Sequence, residues 1–140
     1  MLEGVPADGP EAELIVCETC GSAEQETHGS TRGERLLVQL TEAVRAGQAN
    51  PPIAISSTRC LWACTRSCAV HLRSPRRVGY VIGTLEPTEE HAHALLEYAA
   101  QYVATPDGAV PLKVRPAALR GRFVCRIPND ANPDAIKRRI

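Results

Sequence analysis

Five of the six cysteines in this chain fall into two tight groups whose spacing could hold a metal. The groups are a C-x2-C pair and, about forty residues later, a C-x3-C-x3-C run; their members are Cys17, Cys20, Cys60, Cys64 and Cys68. Thiolates select soft or borderline metals, and four of them from two loops suit either a zinc ion or a [2Fe-2S] cluster. The pattern therefore predicts a metal site built from four of these five cysteines.

Two other uses of cysteine have to be weighed against a metal site. A lone cysteine is usually a small buried residue, and we interpret Cys125 in that way. C-x2-C is also the spacing of a dithiol oxidoreductase, in which a helix N-terminus lowers a thiol pKa. About ten residues separate Cys20 from the next predicted helix, so we expect that activation to be weak.

Three residues in or beside the cysteine run could act on the site without being ligands. Arg59 and Arg66 flank the loop from Cys60 to Cys64, and a guanidinium group could stabilise a negatively charged cluster and raise its potential. The alternative is that both arginines are simply solvated. Trp62 stands between Cys60 and Cys64, and we expect it to cover the site from water, with an anchor for a partner protein as the alternative.

The histidines add little to this donor set. His91 and His93 are two residues apart on a predicted helix, so they point in different directions, and we expect both to face solvent. His28 follows the C-x2-C pair and is the one histidine that could reach a zinc site. The sequence has no Ser-His-Asp pattern, phosphate-binding glycine loop or H-E-x-x-H motif, so we predict a protein that is not an enzyme.

Length and composition indicate one domain in a reducing compartment. The 140 residues suit a single core, and 16 basic residues balance 16 acidic ones, which gives no overall field to attract nucleic acid or a membrane. No apolar stretch approaches the roughly 20 residues that cross a bilayer, and the acidic N-terminus does not resemble a secretory signal. We therefore expect a cytoplasmic protein, where clustered cysteines bind metal more often than they form disulfides.

Hydrophobic patterning predicts four strands and two helices. The strands fall near residues 14–16, 53–56, 69–72 and 78–82. The first helix is predicted between Thr31, which opens a T-x-x-E capping box, and Gly47 as the cap at its end. The second is predicted between Thr88 and Pro106.

This order of elements predicts an α/β fold of the thioredoxin-like type, with a mixed four-stranded sheet and two main helices. A strand-helix-strand start requires a crossover and favours a parallel pair, so both cysteine groups should leave the sheet at the same end. We predict a disordered leader over 1–12, the metal-binding domain over 13–128 and a flexible tail over 129–140. Within the domain, residues 110–128 form an extension that the pattern does not place.

The segment CLWACTRSCAV, from Cys60 to Val70, resembles known families. Thioredoxin-like [2Fe-2S] ferredoxins, and the related small subunit of respiratory NADH dehydrogenases, carry a similar C-(L/V)-G-x-C loop before a strand hairpin and a final helix. The chain resembles more closely a bacterial family of predicted metal-binding proteins of unknown function, whose members often lie beside cobalamin-synthesis genes. The shared features are VCxxC from Val16, CLxxCxRxCxVxL from Cys60, YVxGxL from Tyr80, Tyr102 with a DG turn at 107–108, and VP, RP and IP pairs at 110–111, 115–116 and 127–128.

The resemblance implies a one-electron carrier with Cys17 and Cys20 on one iron and Cys60 and Cys64 on the other. It also implies redox partner proteins, among them enzymes of cobalamin metabolism, and leaves a homodimer open. Two departures matter: the first pair is more tightly spaced than in the ferredoxins, and Cys68 is an additional cysteine. Cys68 could therefore replace Cys20 or Cys64, or the same thiolates could hold zinc or cobalt in a metal chaperone, a sensor or a structural site.

Overall fold

A computed structural model describes residues 10–21 and 29–128 of the chain. The predicted tail, most of the predicted leader and His28 lie outside these residues. Five strands and two helices follow one another as β1 (Glu13–Cys17), α1 (Arg32–Arg45), β2 (Ala54–Thr58), β3 (Val70–Ser74), β4 (Arg77–Ile82), α2 (Glu89–Val103) and β5 (Phe123–Ile127). Three single 3-10 turns span Cys64–Arg66, Leu112–Val114 and Ala117–Leu119.

The strands form one mixed sheet in the order β2-β1-β3-β4-β5. β1 and β2 are parallel, with Leu14 opposite Ile55, and the remaining neighbours are antiparallel. The predicted α/β class, the two helices and the parallel first pair are therefore confirmed. The predicted count of four strands is wrong, because the sheet has five.

The extra strand comes from the extension that the sequence pattern did not place. β5 pairs with the outer edge of β4, so that Val81 lies opposite Cys125. Cys125 is exposed on this edge strand, and the interpretation of it as a buried core residue is wrong. Just before β1, Ala12 is buried, and its carbonyl accepts a hydrogen bond from the Ala54 N–H at 3.0 Å.

Both helices begin at the predicted caps. The Glu34 N–H donates to the Thr31 hydroxyl at 2.9 Å, and the Thr31 N–H donates to the Glu34 carboxylate at 2.8 Å, which completes the capping box. Just after α1, Gly47 has a φ of +82°, a conformation that favours glycine. α2 is capped by Thr88, whose hydroxyl accepts from the His91 N–H at 3.2 Å.

Alternate strand residues and the two helices enclose one core. Leu14, Leu72 and Tyr80 lie side by side across β1, β3 and β4, and all three are buried. Tyr80 also contacts Tyr98 of α2 and Phe123 of β5 edge-on, with ring centroids 6.0 and 5.9 Å apart. These contacts fix α2 and β5 to the sheet. No helix among the described residues is long and apolar enough to cross a membrane.

Candidate metal centre

The parallel strands β1 and β2 carry both cysteine groups to the same end of the sheet. Cys17 is the last residue of β1, and Cys60 lies two residues beyond β2. Thr19 joins the two segments, because its N–H and its hydroxyl both donate to the Arg59 carbonyl, at 3.3 and 2.7 Å. The C-x2-C turn and the start of the C-x3-C-x3-C run are therefore bonded directly to each other.

The residues around Cys68 complete this end of the molecule from a third side. The Cys17 N–H donates to the Ala69 carbonyl at 3.1 Å, and the Ala69 N–H donates to Cys20 Sγ at 3.2 Å. Cys68 in turn exchanges two backbone hydrogen bonds with Leu85, of 3.3 and 3.1 Å. The segment that leads into β3 is thus fixed against the C-x2-C turn.

Burial divides the five clustered thiols, all of them free, into two sets. The inner thiols are those of Cys17, Cys20 and Cys68, whose residues are at most 4% exposed. The outer thiols are those of Cys60 and Cys64, and both residues are exposed to solvent. The site therefore has a dry inner side and a wet outer side.

Two of the inner thiols, those of Cys17 and Cys20, are held in their neutral form. Burial raises the pKa of Cys17, and the hydrogen bond to Cys68, followed by burial, raises the pKa of Cys20 strongly. The thiolate is the species that attacks a disulfide, so raised pKa values oppose dithiol exchange. This direction agrees with the weak activation that we expected, but its causes are burial and the neighbouring thiols rather than distance from a helix start.

The two outer thiols differ from each other. The Trp62 backbone N–H donates to Cys60 Sγ at 3.2 Å and is the main reason that the pKa of Cys60 is lowered. The charge on Cys60 is the main reason that the pKa of Cys64 is raised.

The chemistry of this donor set fits a thiolate-bound metal. Among residues 10–21 and 29–128, no three Cys, His, Asp or Glu side chains are placed to hold one ion. Metal binding would replace the thiol protons and require the cysteine side chains to move together.

The N-terminus of α1 packs on the C-x2-C turn, which the sequence separation of the two did not indicate. The Gly33 N–H donates to the Cys20 carbonyl at 3.0 Å, and the Thr31 hydroxyl donates to the Glu18 carbonyl. A Cβ atom on Gly33 would lie 2.0 Å from the Cys17 carbonyl oxygen. Glycine in a first helical turn is unfavourable, and this was the one signal in the sequence for such a close approach. Nothing in the sequence indicated that Thr19 joins the two cysteine segments.

The three flanking residues do not all take the predicted positions. Trp62 is 92% exposed and has a φ of +60°, so the prediction that it covers the site from water is wrong. The Arg66 side chain donates to the Thr84 hydroxyl at 2.9 Å and to the Gly121 carbonyl at 3.1 Å, and so ties the cysteine run to the segment before β5. Arg59 is exposed.

One of the helical histidines also departs from expectation. His93 faces solvent, with 42% of its side chain exposed, whereas His91 is buried. The His91 Nδ1 accepts a hydrogen bond from the Glu86 N–H at 2.8 Å, and burial lowers its pKa. His91 therefore closes the turn that precedes α2.

The fold and this site define a mixed α/β protein with a five-cysteine cluster at one end of an open sheet. The chain belongs to the family described as "Protein of unknown function (DUF1636)", whose model matches residues 14–129. The match runs from the second residue of β1 through β5 and includes all six cysteines. No curated protein and no solved structure matches the chain.

Proposed function

We propose that this protein is a one-electron carrier that binds a [2Fe-2S] cluster on the clustered cysteines, with Cys17, Cys20, Cys60 and Cys64 as the ligand set. The observation that carries the proposal is the pair of hydrogen bonds from Thr19 to the Arg59 carbonyl, beside the parallel pairing of Cys17 with Thr58. It joins a C-x2-C pair to a C-x3-C pair at one end of a sheet. The donors are thiols, the ligands that iron-sulfur clusters use.

The two-sided burial of the site supports electron transfer rather than a purely structural metal. Cys17 and Cys20 are buried, whereas Cys60 and Cys64 are exposed. A [2Fe-2S] cluster accepts and returns a single electron when bound. An arrangement with one exposed pair of ligands would leave one iron near the surface, where a partner can approach, while the inner side keeps water away from the other.

The thioredoxin-like ferredoxins are the proposed structural relatives. They share a C-x3-C loop followed by a strand hairpin and a helix, which corresponds here to Cys60, Cys64, β3, β4 and α2. The resemblance also suggests a partner from cobalamin synthesis, which includes reduction steps. Cys68 is the proposed replacement ligand, because it lies beside Cys20 and is fully buried.

A zinc or cobalt protein is the second candidate, and one observation favours it. Three of the five thiols are buried next to one another, and a structural zinc site needs four protein ligands and leaves no coordination position open. In this case Cys17, Cys20 and Cys68 would bind together with one outer thiol. A dithiol oxidoreductase is third, because burial raises the pKa of Cys17 and so opposes its reaction as a thiolate.

Anaerobic purification tests the proposal. We expect red-brown protein with broad visible absorption that bleaches with dithionite and contains two irons and two sulfides per chain. Colourless protein with one zinc ion per chain would support the second candidate instead. Metal-free protein that reduces insulin disulfides would support the third.

Single Cys→Ser substitutions then define the ligands. Cys60→Ser and Cys64→Ser should abolish the visible spectrum, and Cys17→Ser should weaken or abolish it. Cys125→Ser is the matched control, because Cys125 is exposed on β5 and has no part in the cluster. Equal loss of the spectrum in Cys125→Ser would contradict the proposed ligand set.

A further inference from the structure

Charge is strongly segregated in this chain although its net charge is zero. Residues 59–85 and 108–127 contain ten of the sixteen lysines and arginines and none of the sixteen aspartates and glutamates. The first segment comprises the cysteine run, β3 and β4, and the second comprises β5 and the turn before it. Because β5 pairs with β4, the two segments adjoin in space, and cations are concentrated on one half of the molecule.

Four of these cations lie at the cysteine end of the sheet: Arg59, Arg66, Arg120 and Arg122. The Arg66 guanidinium donates to the Gly121 carbonyl at 3.1 Å, between Arg120 and Arg122 in the chain. The Arg122 guanidinium donates to the Ala118 carbonyl at 2.8 Å and also to the Thr84 carbonyl. Carbonyl oxygens fix the guanidinium groups in place without cancelling their charge.

The acidic residues of this end do not neutralise the four arginines. Glu18 accepts a hydrogen bond from the Ser57 hydroxyl at 2.8 Å, and Glu86 lies toward His91 at the start of α2. In the part of the chain that the structure describes, no carboxylate forms an ion pair with any of the four. Among the described residues, the four arginines at this end therefore carry positive charge that no carboxylate neutralises by an ion pair.

Trp62 lies between Arg59 and Arg66 in the chain. It is 92% exposed, an unusual state for the largest apolar side chain, and its backbone N–H donates to Cys60 Sγ. Val124 adds a second apolar contact beside Arg66: a Cβ atom on Gly83 would lie 2.8 Å from Arg66 Cβ and 2.9 Å from a Val124 methyl group. Tryptophan and arginine are the residue types that most often dominate protein interfaces.

We infer that the loop around Trp62 is a docking surface for an acidic protein, with the indole as the anchor and Arg59, Arg66, Arg120 and Arg122 as partners for carboxylates. Planar guanidinium groups match carboxylates in paired hydrogen bonds. In the context of the proposed function, on which this role rests, the partner is an acidic redox protein that would dock over the outer thiols. Single-stranded nucleic acid fits less well, because Trp62 is the one exposed aromatic side chain among the described residues and offers no series of stacking platforms.

The surface can be tested directly because Trp62 is the only tryptophan in the chain. Its fluorescence therefore reports on this loop alone, with or without metal. Titration of the purified protein with poly-L-glutamate, which has no tryptophan, should shift or quench the emission at about 50 mM salt. Binding should weaken about tenfold at about 300 mM salt, since exposed charges are then screened. Poly-L-lysine and oligo-dT should give little change.

Charge reversal locates the effect on the proposed surface. The double variant R59E/R120E should raise the dissociation constant for poly-L-glutamate by about tenfold or more. R45E, on the exposed end of α1, is the matched control and should leave binding unchanged. No response to poly-L-glutamate, tighter binding of oligo-dT, or an equal loss in R45E would overturn the inference.

Metal analysis of the same samples separates this inference from the proposed function. Binding of poly-L-glutamate to protein that contains neither iron nor sulfide would retain the docking surface and reject the electron carrier. Protein that contains a normal cluster but does not bind poly-L-glutamate would reject the docking surface and retain the electron carrier.

Discussion

Gly33 and Cys17 are in such close contact that the α-carbon of Gly33 cannot bear a side chain: a Cβ atom there would lie 2.0 Å from the Cys17 carbonyl oxygen. The first turn of α1 is thereby seated on the C-x2-C turn, and the Gly33 N–H bonds to the Cys20 carbonyl at 3.0 Å. The helix and the inner thiols consequently form one rigid unit.

Gly33→Ala should therefore destabilise the protein. Alanine in an ordinary helix would gain about 1 kcal/mol over glycine, but overpacking against a backbone carbonyl costs more, so we expect a net loss of about 2 kcal/mol. Gly33→Ala should also lower metal retention, because Gly33 contacts the C-x2-C turn. Urea unfolding and metal analysis measure both effects.

Gly47→Ala is the control for that substitution, since Gly47 has a φ of +82° with open space around it. It should cost about 1 kcal/mol through backbone strain and leave the metal content unchanged. A stabilised Gly33→Ala protein would contradict the contact.

Thr19→Val removes the hydroxyl that joins the two cysteine segments while keeping the shape of the side chain. The hydroxyl donates to the Arg59 carbonyl at 2.7 Å, and loss of one such bond is worth about 1 kcal/mol, or roughly fivefold in an equilibrium constant. We expect metal to be lost to a chelator about fivefold faster. Thr65→Val, at an exposed position of the same run, is the control and should release metal at the wild-type rate. Equal rates in the wild type, Thr19→Val and Thr65→Val would contradict a role for the Thr19–Arg59 hydrogen bond.

Tyr98 and Tyr102 should respond in opposite directions to replacement by phenylalanine. The buried Tyr98 hydroxyl has no hydrogen-bond partner among the described residues, so Tyr98→Phe should stabilise the protein by about 1 kcal/mol. The Tyr102 hydroxyl donates to the Val78 carbonyl at 2.6 Å, so Tyr102→Phe should destabilise it by a similar amount. Thermal or urea unfolding of the two variants is the measurement, and changes of the same sign would contradict this assignment.

Glu13 should make the stability depend on pH on the acidic side. The Ser56 hydroxyl, 2.7 Å from its carboxylate, is the main reason that the pKa of Glu13 is lowered, with Arg73 contributing further. A lowered pKa means that the contribution is complete above the ordinary value of about 4.5 and is lost as the pH falls through the lower native value.

Glu13→Gln should accordingly lower the free energy of unfolding by about 1 kcal/mol at pH 7 and by much less near pH 3. Glu42→Gln, at an exposed site on α1, provides the comparison and should change little at either pH. Denaturant titrations at the two pH values measure the difference. If Glu13→Gln lowered the free energy of unfolding equally at both pH values, the charge of the Glu13 carboxylate would have no role in stability.

Local signals in the sequence predicted the elements around the site well. The T-x-x-E box at Thr31 and the glycine at position 47 fixed α1 because caps act within a few residues. The crossover between β1 and β2 required a parallel pair, and that topology alone brings Cys17 toward Cys60.

Features that depend on tertiary contacts were not predictable in the same way. β5 lies in a segment rich in arginine and proline, and its pairing follows from packing of Phe123 against Tyr98 and Tyr80 rather than from a pattern of its own. Trp62 was expected to cover the site because it stands between Cys60 and Cys64, yet its side chain is exposed. His91 was expected in solvent, and its place under the turn at Glu86 became visible only in the structure.

The order of the strands gives the two sets of thiols unequal support. Cys17 ends β1 and Cys68 lies two residues before β3, and both strands have neighbours on both sides, whereas Cys60 follows β2, which has a neighbour on one side only. Edge elements detach at a lower free-energy cost than central ones. Fraying of β2 would therefore release Cys60 while Cys17, Cys20 and Cys68 stay anchored, so a metal bound here could be exchanged by way of one ligand without global unfolding.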